Sequence, residues 1–170
     1  MSSDEDAFRD FVIARSAALL RVAFLLTGDR GHAEDLLQTA LMKTSRRWSQ
    51  LVDREASYAY VRRVMVNTQT SWLRRRRVVE NFVDVVPESR AHLGEFEATE
   101  GRTLPALAQL PPGMRAVIVL RFYEDLSEAE TARLLGCSLG TVKSQTSRGL
   151  VRLRAYFADQ RSSTASREDL

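Results

Sequence analysis

The chain has a single cysteine, Cys137, and two histidines, His32 and His92. A lone thiol cannot close an internal disulfide, and these residues are too few for a Cys/His zinc cluster, so neither metal nor cofactor is expected. Long apolar runs are also missing. A stretch such as Ala17 to Leu26 is ten residues long and broken by Arg21, where a membrane span needs roughly 18, so no membrane insertion is expected. The N-terminus, MSSDEDAF, is acidic where a secretory signal begins basic and continues apolar, which points to the cytoplasm. The sequence has no GxxxxGK[ST], no GxGxxG after a strand and no HExxH. The acid pairs Glu34-Asp35 and Glu124-Asp125 are chain neighbours and point to different sides of a helix. Catalysis is not expected. Lysine is scarce too: Lys43 and Lys143 stand against 23 arginines.

What is present is an ordinary globular composition, 44% hydrophobic and 28% charged over 170 residues, with an uneven charge distribution. Tyr58 to Arg77 holds six arginines and no acid, Cys137 to Ala158 holds four basic residues and no acid, and Glu80 to Gly101 sets six acids against Arg90. Two basic blocks flanking an acidic one suggest two surfaces for a polyanion and a connector that polyanions repel.

Periodicity predicts helices throughout. Phe8, Phe11, Val12, Arg15, Leu19, Val22, Ala23 and Leu26 recur at near-helical spacing, and Thr27-Gly28-Asp29 supplies a stop and a fresh cap. Ala33, Leu36, Leu37, Ala40, Leu41, Thr44 and Trp48 form the apolar stripe of a second helix. Tyr58, Val61, Val64, Met65, Thr68 and Trp72 repeat the period on a third, whose other side carries Arg63, Asn67, Thr70, Arg74 and Arg77. The stripe makes Trp72 a core residue. Residues 80–101 lose the period, hold Pro87, Gly94 and Gly101, and read as a flexible acidic linker. Helical signals return at Leu104 to Leu110, break at Pro111-Pro112-Gly113 and resume with Met114, Val117, Ile118, Leu120 and Arg121. Ser127 and Glu130 form a capping box for a short helix ending at Leu135-Gly136. A last helix runs from near Leu139 to about Phe157, with a frayed polar tail beyond Asp159. No alternating run argues for a sheet. The expected fold is all-α, with two small helical domains over 5–79 and 102–158, a linker over 80–101 and a tail over 159–170.

The strongest local signal is SEAETARLLGCSLGTVKSQTSRGLVRLR, residues 127–154. A capped short helix, a tight glycine turn and a second helix carrying Thr141, Lys143, Ser144, Ser147 and Arg148 make a helix-turn-helix, whose second helix fits a DNA major groove. Val142, Leu150 and Leu153 supply its packing stripe, and Cys137 fills the turn as a small apolar residue. The second signal is the arginine block at 62–77 with Tyr58, Tyr60 and Trp72, where arginines track phosphates and aromatic faces accept unstacked bases. This combination suits single-stranded and duplex DNA alike.

In this order and spacing the residues resemble the extracytoplasmic-function sigma factors, the minimal members of the bacterial sigma-70 family, and look most like the SigE-like group common in actinobacteria. The resemblance spans residues 5–157. AEDLLQTAL (33–41) is similar to region 2.2, YAYVRRVMVNTQTSWLRRRR (58–77) to regions 2.3 and 2.4, LPPGMRAVIVLRFYEDLSEAETARLLG (110–136) to region 4.1 running into 4.2, and CSLGTVKSQTSRGLVRLR (137–154) to the region 4.2 recognition helix. The resemblance implies that Asp35, Gln38 and Met42 grip the β′ clamp helices of core RNA polymerase, with the β flap as a further contact. It implies that Arg63, Asn67 and Arg74 serve the minus-10 element, with Leu51 in a loop, Leu51 to Ala56, that holds a flipped base of the opened strand. It implies that Thr141, Lys143, Ser144, Ser147 and Arg148 face the minus-35 duplex, and it admits an anti-sigma factor among the partners. Ser71, Gln145 and Gly149 depart from the pattern, which more often has an acid, arginine and alanine there. Gln145 removes a phosphate-seeking charge, and Gly149 is expected to loosen the recognition helix by up to about 1 kcal/mol. The main rival is an autonomous helix-turn-helix regulator binding a palindrome as a dimer, which leaves residues 1–80 without a role. A second rival, an arginine-rich RNA-binding protein, leaves the helix-turn-helix unexplained.

Overall fold

The computed structural model describes residues 3–51, 53–80 and 101–168. Among them there is no strand, and the chain divides into two compact units, Met1–His92 and Leu93–Leu170. The acidic segment 81–100, read above as a linker, lies outside the described residues.

The first unit is built from α1 (Ser3–Thr27), α2 (Arg30–Ser45) and α3 (Arg54–Glu80). The α1–α2 corner forms where the sequence predicts it. Gly28 adopts a positive φ of 71° and its N–H reaches the Phe24 carbonyl at 2.7 Å, while the Asp29 carboxylate accepts the His32 N–H at 2.8 Å and caps α2. α1 packs against both α2 and α3, and for that reason it buries Phe24 and Leu25 beside the predicted Leu19, Val22, Ala23 and Leu26. The core is completed by Ala33, Leu36, Leu37 and Ala40 of α2 and by Val61, Met65 and Val66 of α3.

Two expectations fail here. Trp48 does not extend the stripe of α2, which ends at Ser45; it opens a 3-10 turn, Trp48–Gln50, and its ring lies 5.1 Å from each of Phe8 and Phe11 on α1. The loop expected over Leu51 to Ala56 is shorter, because α3 begins at Arg54. The Asp53 carbonyl accepts both the Ser57 N–H and its hydroxyl at 2.8 Å, which draws the chain into the helix early.

The second unit comprises α4 (Thr103–Ala108), α5 (Pro112–Ile118), α6 (Glu128–Leu135) and α7 (Leu139–Glu168). Pro112 opens α5, where its missing N–H costs no hydrogen bond. Between α5 and α6 the chain widens into a π-helical turn, Val119–Tyr123, closed by the Glu124 N–H on the Val119 carbonyl at 3.0 Å. Asp125 then takes a φ of 52°, rare for a residue with a side chain. The Arg115 guanidinium is 9% exposed and donates to the carbonyls of Leu107, Ala108 and Leu110 at 2.9, 3.2 and 3.1 Å. It thereby caps the end of α4 and the turn after it, where the Leu107 carbonyl also accepts the Leu110 N–H at 3.0 Å. α7 does not stop near Phe157 but continues to Glu168. Residues 158–168 contain no glycine or proline, and the Ser162 and Thr164 hydroxyls donate to Ala158 and Gln160, one turn back, so nothing ends the helix at Asp159.

Candidate nucleic-acid interface

In the second unit, the capping box forms in full: Ser127 Oγ accepts the Glu130 N–H at 3.1 Å, and the Glu130 carboxylate accepts the Ser127 N–H at 2.8 Å. α6 ends on Gly136 in the left-handed region, at φ 64° and ψ 37°. The Cys137 N–H then reaches back to the Ala132 carbonyl at 3.1 Å, the geometry of a glycine helix stop. Ser138 opens α7, its hydroxyl oxygen accepting the Thr141 N–H at 3.1 Å. Under this turn Val117, Ala132 and Val142 are buried, with Leu135 and Cys137 packed against them, as expected of a small apolar residue at position 137.

Because Val142 and Gly149 face inward and Leu150 and Leu153 are half-buried, the residues between them emerge on the other side of α7. Thr141, Lys143, Ser144, Ser147 and Arg148 are all exposed on that side. Three of them already have local contacts. The Thr141 hydroxyl lies 2.9 Å from that of Ser138, Ser144 donates to the Thr141 carbonyl at 3.1 Å, and Lys143 Nζ sits 4.0 Å from Glu128.

In the first unit, α2 turns Asp35, Gln38 and Met42 outward while its other face enters the core. Met42 is 57% exposed and takes no part in the core. Arg63, Asn67 and Arg74 are exposed on α3. The aromatic platforms expected for unstacked bases are partly engaged. The Arg63 guanidinium lies 5.4 Å from the Tyr60 ring centre, and Tyr58 has Arg15 at 5.8 Å and Arg62 at 6.0 Å. Trp72 is half-buried, not a core residue. Leu51 is half-buried on the wall of an open cavity of about 630 Å³, whose other walls include Phe11, Arg15, Trp48, Asp53 and Ser57. The structure thus brings Leu51 to a concavity, but α1 contributes more of its lining than the short loop does.

Family models match two stretches: sigma-70 region 2 over residues 12–78 and sigma-70 region 4 over residues 103–153. The chain belongs to the sigma-70 family. It is 45% identical to the RNA polymerase sigma-E factor of Streptomyces coelicolor over 86% of its own length and 84% of that protein's. It is 33% identical to the extracytoplasmic-function sigma factor SigE of Mycolicibacterium smegmatis, over 85% of this chain and 59% of that one. Among solved structures, the sigma factor RpoE of Bartonella quintana, in complex with the anti-sigma factor NepR, aligns with a TM-score of 0.72 at 27% identity, covering 89% of this chain and 97% of that one.

Two departures of this sigma factor from the family pattern acquire a different meaning. Gln145 is half-buried and its side-chain oxygen is enclosed, without a hydrogen-bond partner among the described residues, so the side chain lies inward of the DNA-facing row. Gly149 is buried against α5, a contact the helix-propensity argument alone does not foresee. A glycine inside a strong helical pattern is a sequence signal of close approach as well as of weakness, and that signal applies here.

Proposed function

We propose that this sigma factor acts through three faces. Asp35, Gln38 and Met42 on α2 seat against the β′ clamp helices of core RNA polymerase. Arg63, Asn67 and Arg74 on α3, with Leu51 at the neighbouring cavity, engage the opened minus-10 strand. Thr141, Lys143, Ser144, Ser147 and Arg148 on α7 read the minus-35 duplex, while the second unit also meets the β flap. One observation carries this reading: each of these side chains except Leu51 stands on the solvent side of a helix whose opposite side forms a core.

The proposed mechanism relies on binding energy alone and involves no catalysis by the chain. Opening a promoter costs roughly 1.4 kcal/mol of stacking per base-pair step. Capture of an extruded base and neutralisation of phosphates by arginine offset a few such steps, and the polymerase supplies the rest. The working compartment is the cytoplasm, where promoter and polymerase are. An anti-sigma factor is a fitting regulator, since a solved relative has one bound.

Gel filtration of the full chain with core polymerase, followed by transcription from promoter DNA, tests the proposal. Co-elution and specific initiation are expected. Failure to co-elute, together with dimeric binding to a palindromic duplex, would instead establish an autonomous helix-turn-helix regulator.

A further inference from the structure

Gly149 is the contact point between the recognition helix and α5. It directly follows Ser147 and Arg148 of the DNA-facing row, and it is buried. A Cβ placed on it would lie 2.9 Å from Ile118 Cγ1, 3.0 Å from Ile118 Cδ1 and 3.1 Å from Met114 Cγ. The first distance is shorter than real Cβ contacts reach and the other two are tighter than nearly all of them, and the nearest obstruction, Ile118 Cγ1, is not a free side-chain tip. Ile118 and Met114 are each 5% exposed, and Ile118 Cγ1 is attached to a branched carbon with little rotamer freedom in a helix. A larger residue at 149 must therefore lift α7 away from α5 or displace the packed Ile118.

We infer that Gly149 and Ile118 form a matched small–large pair that sets how deeply the recognition helix is seated on α5, making Gly149 a positioning residue for minus-35 specificity. The inference rests on the reading that α7 faces the minus-35 duplex. Its physical basis is the geometry of the motif. α6 and α7 are presented to DNA as one rigid piece through the Val117, Ala132 and Val142 core, and base contacts depend on how far the second helix projects beyond the first. Lifting α7 at Gly149 moves Arg148 and Ser147 relative to α6, whereas Thr141, beside the Ser138 cap, stays pinned near the turn. The change is a tilt about the helix start rather than a translation. Bases read by Ser147 and Arg148 should be affected before those read by Thr141. Helix propensity argues in the opposite direction, because alanine is the better helix former, so the sign of the outcome discriminates between the two effects.

The test uses the full chain with core polymerase and a duplex carrying the minus-35 sequence that the wild-type holoenzyme selects from a randomised pool. The proteins are wild type, Gly149→Ala, the pair Gly149→Ala/Ile118→Ala, which removes both contacting Ile118 atoms, and Arg148→Ala. Polymerase binding and melting temperature are measured for each. Gly149→Ala is expected to bind the duplex about tenfold more weakly and to select a different base at one or two positions, with polymerase binding unchanged. The pair is expected to recover affinity to within about threefold of wild type although its core is cut back and its melting temperature is lower. Recovery of DNA binding against the stability trend is an outcome that a purely structural role cannot produce. Unchanged or tighter binding by Gly149→Ala overturns the inference, and so does a folded pair that fails to recover. If Arg148→Ala also leaves duplex binding untouched, the minus-35 reading itself fails, which is a separate result.

Discussion

Arg115 behaves unlike the other arginines of this sigma factor, because its charge is used inside the fold. Burial holds its pKa below the usual arginine value through desolvation of the charged form. Arginine remains protonated wherever the protein folds, so this is a constant cost rather than a pH switch. The three carbonyls it holds at the end of α4 offset that cost. Arg115→Ala leaves the Ala108 and Leu110 carbonyls without this donor, while Leu107 keeps the Leu110 N–H, and should destabilise the second unit by about 2–4 kcal/mol. A fall in the urea midpoint at nearly constant m-value would register the loss. Arg115→Lys should recover little, since one ammonium on a flexible stem does not span three acceptors as a planar fork does. None of this is legible in the sequence, because the partners are backbone carbonyls and every residue has one. The exposed row on α7 was legible for the converse reason: side-chain chemistry and spacing carry its whole signal.

Helices were readable wherever one face was apolar and a cap was written in side chains. The Asp29 cap, the Ser127–Glu130 box and the Gly136 stop all fall where the chain spells them. Errors came where tertiary packing decided or where no stop signal was written. Trp48 left the α2 stripe to join Phe8 and Phe11, and α7 ran on through a polar stretch that lacks a stop signal. The outward face of α2 offers the cleanest separation of binding from folding. Asp35 and Gln38 are exposed while Leu36 and Leu37 between them are buried. Replacing both Asp35 and Gln38 by alanine should leave the melting temperature within a few degrees and weaken core-polymerase binding at least tenfold, about 1.4 kcal/mol. Titration of labelled polymerase gives the number, and undiminished affinity would remove this face from the interface.

At the scale of the molecule, two units recognise one promoter and must divide the work. Asn67, exposed on α3 one turn from Arg63, is assigned to opened DNA, so its effect should depend on whether the duplex is already open. Asn67→Ala should reduce transcription from fully paired templates several-fold more than from templates mismatched across the minus-10 region. Equal defects on both would assign it to the fold or the polymerase instead. The division of the chain also has an optical consequence. Both tryptophans, Trp48 and Trp72, belong to the first unit, whereas the second has only Tyr123 and Tyr156 as hydroxylated aromatics. Trp48 is packed against two phenylalanine rings of α1, contacts that unfolding would remove. Tryptophan fluorescence, excited at the red edge where tyrosine does not absorb, therefore reports the first unit alone, while far-ultraviolet dichroism reports the helices of both. Two units with separate cores should melt as two transitions that these probes do not superimpose. Curves that coincide, and still coincide when Arg115→Ala destabilises the second unit, would mean that the two units unfold as one, and that neither can loosen on a promoter while the other stays folded.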